Sequence, residues 1–170
     1  MTTERMNATY MKGEPLTLVG KKINAGDQAP TVDLTDSKLA PLEFTHIPGK
    51  TCILTSVPSL DTSVCDKEIR YFNKAALKFD DVEVVTVSMD LPFAQSRWCE
   101  SSKSDNITAY SDHREASFGK AYGVLIKELR LLSRAVFLID KEGTIRYSQY
   151  IPEITDQPDY DDVLSALESL

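Results

Sequence analysis

The sequence predicts an α/β fold in which a mixed central sheet is flanked by helices and preceded by an N-terminal β-hairpin. Three observations carry this. Residues 51–57 and 82–88 are rich in β-branched and apolar residues, as core strands are. Between them Cys65, Ile69, Phe72, Ala76 and Phe79 step by four, three, four and three, which makes one buried helical stripe. Residues 135–140 and 144–150 read as strands joined at Lys141-Glu142-Gly143, an antiparallel pair that makes an otherwise mainly parallel sheet mixed.

The elements follow in order. Residues 8–19 form two short strands around a turn at Gly13-Glu14-Pro15, and this hairpin packs outside the main sheet. A connector at 20–30 leads to short strands at 31–34 and 42–44. The strand at 51–57 feeds a helix over 62–79, and the strand at 82–88 follows. Pro92 suits the first turn of a short helix over 93–100, with a polar loop at 101–105. A strand at 107–110 and a helix at 115–122, ended by Gly123, come next, while 124–133 has no clear period. After the late strand pair, Pro158 opens a helix with Tyr160, Val163, Leu164 and Leu167 inside. Residues 1–170 read as one domain, with 1–20 as its hairpin extension.

Composition narrows the function. With 19 Lys and Arg against 26 Asp and Glu, the net charge is −7, which argues against a nucleic-acid partner. No stretch approaches the ~20 apolar residues of a membrane span, and no signal-like segment opens the chain, so a cytoplasmic location is expected. Structural disulfides are rare there, which leaves Cys52, Cys65 and Cys99 as packed thiols, metal ligands or redox groups. No cysteine pair, and neither His46 nor His113, has metal-ligand spacing, so no metal is expected.

Cys65 is the candidate nucleophile. It lies in the first helical turn after a central strand, at the strand's carboxyl end, where α/β sheets place their sites. The unpaired N–H groups and positive dipole end of the helix favour a thiolate. Asp61 or Thr62 can cap that helix. Asp61, Asp66 and Glu68 work against the thiolate, so a reactive Cys65 needs a cation from elsewhere in the fold. On position alone, Cys65 is equally the first apolar residue of the stripe.

The neighbouring residues break the tie. Pro58, Thr62 and Cys65 match the Pro-x-x-x-Thr-x-x-Cys signature of the peroxiredoxins. The resemblance extends to the atypical two-cysteine branch, the thiol peroxidases, through Ser59–Cys65 and through Asp90-Leu91-Pro92-Phe93-Ala94-Gln95-Ser96-Arg97-Trp98-Cys99. The hairpin from Gly13 to Gly20 and the run Arg134–Asp140 are similar to that branch as well. The resemblance implies a thioredoxin-like fold and a cofactor-free peroxidase acting on hydrogen peroxide and alkyl hydroperoxides. It makes Cys65 the peroxidatic cysteine, oxidised to a sulfenic acid, and Cys99 the resolving one. Thr62 would hydrogen-bond peroxide and thiolate, Pro58 would shield the cysteine, and Arg134 would be the missing cation. Thioredoxin as reductant and a homodimer are implied too.

A Cys65–Cys99 disulfide needs α-carbons within about 7 Å, so the first turn of the Cys65 helix and the Cys99 segment should loosen when it forms. Cys52 matches no role in the resemblance and reads as an inert core thiol. Phe93, Trp98 and Tyr122 are either core or an apolar collar for organic hydroperoxides. Two rival readings remain: a thioredoxin-like scaffold with structural cysteines, and a disulfide oxidoreductase. Cys65-Asp66-Lys67-Glu68 disfavours the second, because it lacks the other cysteine of Cys-x-x-Cys.

Overall fold

The computed structural model describes residues 2–102 and 107–170. A seven-stranded sheet runs in the order β11 (Ile145–Tyr150), β10 (Ala135–Ile139), β5 (Thr51–Ser56), β6 (Val82–Ser88), β7 (Ile107–Ser111), β3 (Val32–Thr35), β4 (Pro41–Phe44). Its centre is parallel, formed by β5, β6 and β7. Strand β10 joins β5 antiparallel and β11 extends that edge. The opposite edge is antiparallel too, because β3 pairs with both β7 and β4. The sheet is therefore mixed at both edges, where the sequence had implicated only the late hairpin.

Both faces are covered. All six residues of β5 are buried, as expected of a central strand packed on two sides. On one face Ile53, Val84, Val136 and Leu138 meet Phe72 and Ala76 of α1 (Ser63–Ala76) and Val163 and Leu167 of α4 (Tyr160–Glu168). On the other, Cys52, Leu54, Val85, Phe137 and Ile139 pack with Phe118 and Tyr122, which lie in and just after α3 (Ser117–Ala121). Helix α2 (Pro92–Ser102) covers β7 and sends Trp98 into a third cluster with Val57, Leu60, Cys65, Ile69 and Ile107.

Helix α1 stops three residues short of the expected end. The Lys78 and Phe79 amides bond back to Ala75 and Ala76, a tightening that closes the last turn, and Phe79 packs from beyond it. Helix α2 runs to Ser102, two residues past the expected end. The rest of the expected 101–105 loop, residues 103–105, lies outside the described residues. Asp159, not Pro158, caps α4, accepting from the Asp162 amide.

The N-terminal hairpin, β1 (Glu4–Met11) and β2 (Glu14–Val19), turns at Lys12-Gly13 rather than at Gly13-Glu14-Pro15. Both turn residues have positive φ (53° and 83°), as a two-residue turn matched to strand twist requires. This hairpin belongs to a separate four-stranded sheet with β8 (Leu125–Ile126) and β9 (Leu131–Leu132), inside the stretch whose sequence showed no period. Two-residue strands are too short for one.

Two glycines close the joint between the hairpin and α3. At Gly20, where φ is +105°, an added Cβ would sit 2.0 Å from the Lys120 carbonyl oxygen and 2.9 Å from the Gly123 Cα. Gly20→Ala is expected to destabilise the protein by about 2–4 kcal/mol, because backbone must move and a strained φ must be held. Urea unfolding checks this, and a loss below about 1 kcal/mol would contradict the tight joint.

Candidate active site

The loop that enters α1 is pinned before it reaches the cysteine. The Val57 amide donates to the Val87 carbonyl at 3.1 Å, continuing the β5–β6 ladder past the strand end. Asp90, just after β6, then accepts from the Ser59 hydroxyl at 2.7 Å and the Leu60 amide at 2.8 Å. The Ser88 hydroxyl donates to the same carboxylate at 2.8 Å. Pro58 is buried within this turn. Thr62 caps α1, its hydroxyl oxygen accepting from the Cys65 amide at 3.3 Å.

Cys65 is fully buried on α1, and two donors face its sulfur. The Thr62 hydroxyl lies 2.7 Å from Sγ, and Arg134 Nη2 lies 3.3 Å from it. The Thr62 hydroxyl also lies 3.2 Å from the Ser59 carbonyl, so its single proton has two alternative acceptors. Arg134 reaches the sulfur because β10 runs antiparallel to β5, with Ala135 opposite Ser56, so the start of one strand lies beside the end of the other. The Ser56 hydroxyl fixes this corner through the Ser133 carbonyl at 2.6 Å.

A buried guanidinium must be satisfied on every side. Arg134 is 1% exposed, and Nε and Nη2 donate to the Ile154 carbonyl at 3.1 and 2.9 Å. Nη1 donates to Glu68, which is fully buried. Burial pushes the Glu68 carboxyl up to about 7, against the pull of Arg134. The other two acids near Cys65 have their own cations. Asp66 pairs with Arg70 at 2.8 Å, and Asp61 lies 3.9 Å from Arg97. The single countercharge expected from the sequence is thus one of three arginines.

Glu68 and Asp90 are the residues that reading from sequence missed. Glu68 carried a signal, since it lies three residues after Cys65 on the buried stripe, where a carboxylate demands a partner. Asp90 carried none, because its partners are a backbone amide and two serines brought by the fold.

Cys99 is half-buried on α2, and both it and Cys65 are free thiols. Burial, and secondarily Glu100, push the Cys99 thiol up. A groove of about 290 Å³ is lined by Leu60, Asp61, Thr62, Ser63, Asp66 and Trp98, and its Thr62 hydroxyl contacts the buried Cys65 sulfur behind it. Cys99 instead lines a cavity of about 340 Å³ with Gln95, Ile107 and Tyr110, among others, and the two hollows share no lining residue. Of the three residues read as either core or collar, only Trp98 lines the groove. Tyr122 takes the core alternative, stacking on Phe118 on the opposite face, while Phe93 is 65% exposed and fits neither reading. Cys52 sits in mid-β5 on that opposite face, and burial followed by Glu83 pushes its thiol up.

Comparison with known proteins agrees on one family. A family model described as Redoxin matches residues 24–164. The thiol peroxidase of Bacillus subtilis (strain 168) is 46% identical over 159 residues, which is 94% of this chain and 95% of that protein. The thiol peroxidase of Staphylococcus aureus (strain MRSA252) is 44% identical over 165 residues, 97% of this chain and 100% of its own. The crystal structure of a peroxiredoxin-like protein from Aquifex aeolicus superposes with a TM-score of 0.87 at 41% identity, covering 97% of this chain and 98% of its own.

The Glu68 environment sets a pH dependence. Its carboxyl titrates higher folded (about 7) than unfolded (~4.3), so its contribution to stability is fully present below about pH 4.3 and is lost as pH rises through about 7. Glu68→Gln removes that dependence. Wild-type stability should fall relative to the variant as pH rises from 5 to 8. Parallel melting curves across that range would refute the buried, raised carboxyl.

Proposed function

The chain belongs to the Redoxin family, among its thiol peroxidases, and from that premise we propose that it is a peroxidase in which Cys65 attacks hydrogen peroxide and alkyl hydroperoxides and Cys99 completes the cycle. The observation that supports this most directly is the paired donation to a buried sulfur, from Thr62 at 2.7 Å and Arg134 at 3.3 Å. Donors aimed at the nucleophile also face the oxygen it attacks, so they stabilise negative charge as it passes from sulfur to the leaving oxygen.

In the first step the Cys65 thiolate attacks the nearer peroxide oxygen in line with the O–O bond. A sulfur–oxygen bond forms and the O–O bond breaks. Sulfur is oxidised to the sulfenic acid, and the departing alkoxide or hydroxide leaves as alcohol or water once protonated. Arg134 keeps its charge throughout, since a guanidinium does not deprotonate in this range. Pro58, buried in the turn, keeps water from the sulfur, and Thr62 orients the peroxide from the groove beside Trp98. In the second step the Cys99 thiol attacks the sulfenic sulfur, forming the disulfide and releasing water. The thiolate supplies all the redox chemistry, so the cycle requires no metal, haem or flavin.

Thioredoxin is the proposed reductant of that disulfide, and a homodimer the proposed assembly. We read residues 1–170 as one domain, extended by the hairpin at 1–20. Among the described residues no helix is long and apolar enough to cross a membrane, and the cytoplasm is the proposed site of action.

One equivalent of peroxide added to the reduced protein should remove two hydrogens by intact mass and join Cys65 to Cys99 within one chain. Cys99→Ser should stop at Cys65 sulfenic acid, and Cys65→Ser should do neither. Arg134→Lys, which loses the planar fork, should slow peroxide reduction at least tenfold while the fold survives. A wild type that peroxide leaves unchanged would favour the scaffold reading instead.

A further inference from the structure

The residues beside the two cysteines are bonded to each other. Asp66 follows Cys65 on α1, and Trp98 precedes Cys99 on α2. The Trp98 indole Nε1 donates to Asp66 Oδ1 at 3.1 Å. The other oxygen of that carboxylate, Oδ2, accepts from Arg70 Nε at 2.8 Å. Arg70 Nη1 in turn donates to the Ser102 carbonyl, in the last turn of α2, at 3.1 Å. Helix α2 has no basic residue in its own last turn, so a side chain of α1 serves one of its terminal carbonyls. One carboxylate and one guanidinium thus fasten α2 to α1 on both sides of Cys99.

This fastening fixes how Cys99 is presented, at the margin of the cluster that holds Cys65 and Trp98. Adjacent helical residues point about 100° away from each other, so while Trp98 faces Asp66 and the groove at Thr62, Cys99 faces the separate cavity against β7. Cys99 cannot turn toward Cys65 on an intact α2 without withdrawing the indole from Asp66.

We propose that Asp66, Arg70 and Trp98 form a latch between the two cysteine-bearing helices, whose opening sets the rate of disulfide formation. The proposal rests on the roles given above to Cys65 and Cys99. The latch also decides the fate of the sulfenic acid. If it opens, Cys65–SOH and Cys99–SH give the disulfide and water. While it stays closed, a second hydroperoxide oxidises Cys65–SOH to the sulfinic acid and is itself reduced to alcohol or water. Trp98, Asp66 and Arg70 are positioning residues here, acting through the helices that carry the sulfurs.

Trp98→Phe keeps an aromatic ring in the cluster and removes the donor, and Arg70→Gln removes the clasp on the Ser102 carbonyl. Reduced wild type and both variants are mixed with hydrogen peroxide, quenched in acid at intervals, alkylated and weighed intact. The first-order rate from sulfenic acid to disulfide should rise about three- to tenfold in each variant, the worth of one partly exposed charge-assisted hydrogen bond. With excess peroxide, the sulfinic fraction should fall in the same proportion. A purely structural role would lower the melting temperature and leave the disulfide-to-sulfinic ratio unmoved. Unchanged or slower disulfide formation in both variants overturns the latch alone. A wild type that forms no Cys65–Cys99 disulfide overturns the roles of the cysteines, and the latch with them.

Discussion

The buried guanidinium of Arg134 is the constraint on which this structure depends. Removing such a charge from water costs several kcal/mol, and that cost is tolerable only if every N–H finds an acceptor. The acceptors come from three places: Glu68 on α1, the Cys65 sulfur one turn earlier, and the Ile154 carbonyl on the connection after β11. To gather them the sheet must set the start of β10 against the end of β5, and α1 must present its third and sixth residues, Cys65 and Glu68, to the same point. Losing either charged partner would leave the other buried and uncompensated. The Cys65 sulfur and its support therefore stand or fall as one unit.

The acidity around Cys65 looks different in this light. Three carboxylates within eight residues of sequence would oppose a thiolate if all of them faced it. The fold gives each an arginine and sorts the pairs by depth. Arg134 and Glu68 are buried, while Asp66–Arg70 and Asp61–Arg97 lie near the surface, where solvent and salt screen them. The deep pair serves the sulfur, and the Asp66–Arg70 pair serves contacts between helices.

Much of this was legible in the sequence, and what was not has a physical reason. The buried β5 and β6 runs, the α1 stripe and the arrival of Cys65 at a helix start follow from periodicity and composition, which report local structure. The meeting of Cys65, Thr62 and Arg134 was anticipated through a resemblance, not through spacing; the antiparallel register of β10 is what accomplishes it. Glu68 was read as a liability because its partner lies 66 residues away. The Ile154 carbonyl is a backbone group and leaves no mark on sequence. The Trp98–Asp66 bond joins two residues whose own neighbours drew all the notice. Strands β8 and β9 form because β2 offers them an edge, and their two residues each could not signal that alone.

The N-terminal hairpin has a consequence in time. Tyr10 brackets the Ile154 connection, donating to the Pro152 carbonyl at 2.7 Å and accepting from the Ile154 amide at 2.9 Å, while Glu153 holds the Lys12 and Gly13 amides at the hairpin turn. The carbonyl that steadies Arg134 is thus bracketed by a strand more than 140 residues earlier in the sequence. A nascent chain leaving the ribosome exposes Cys65 long before either Arg134 or Ile154 has been synthesised. The thiol spends that interval without the guanidinium that lies 3.3 Å from it in the fold.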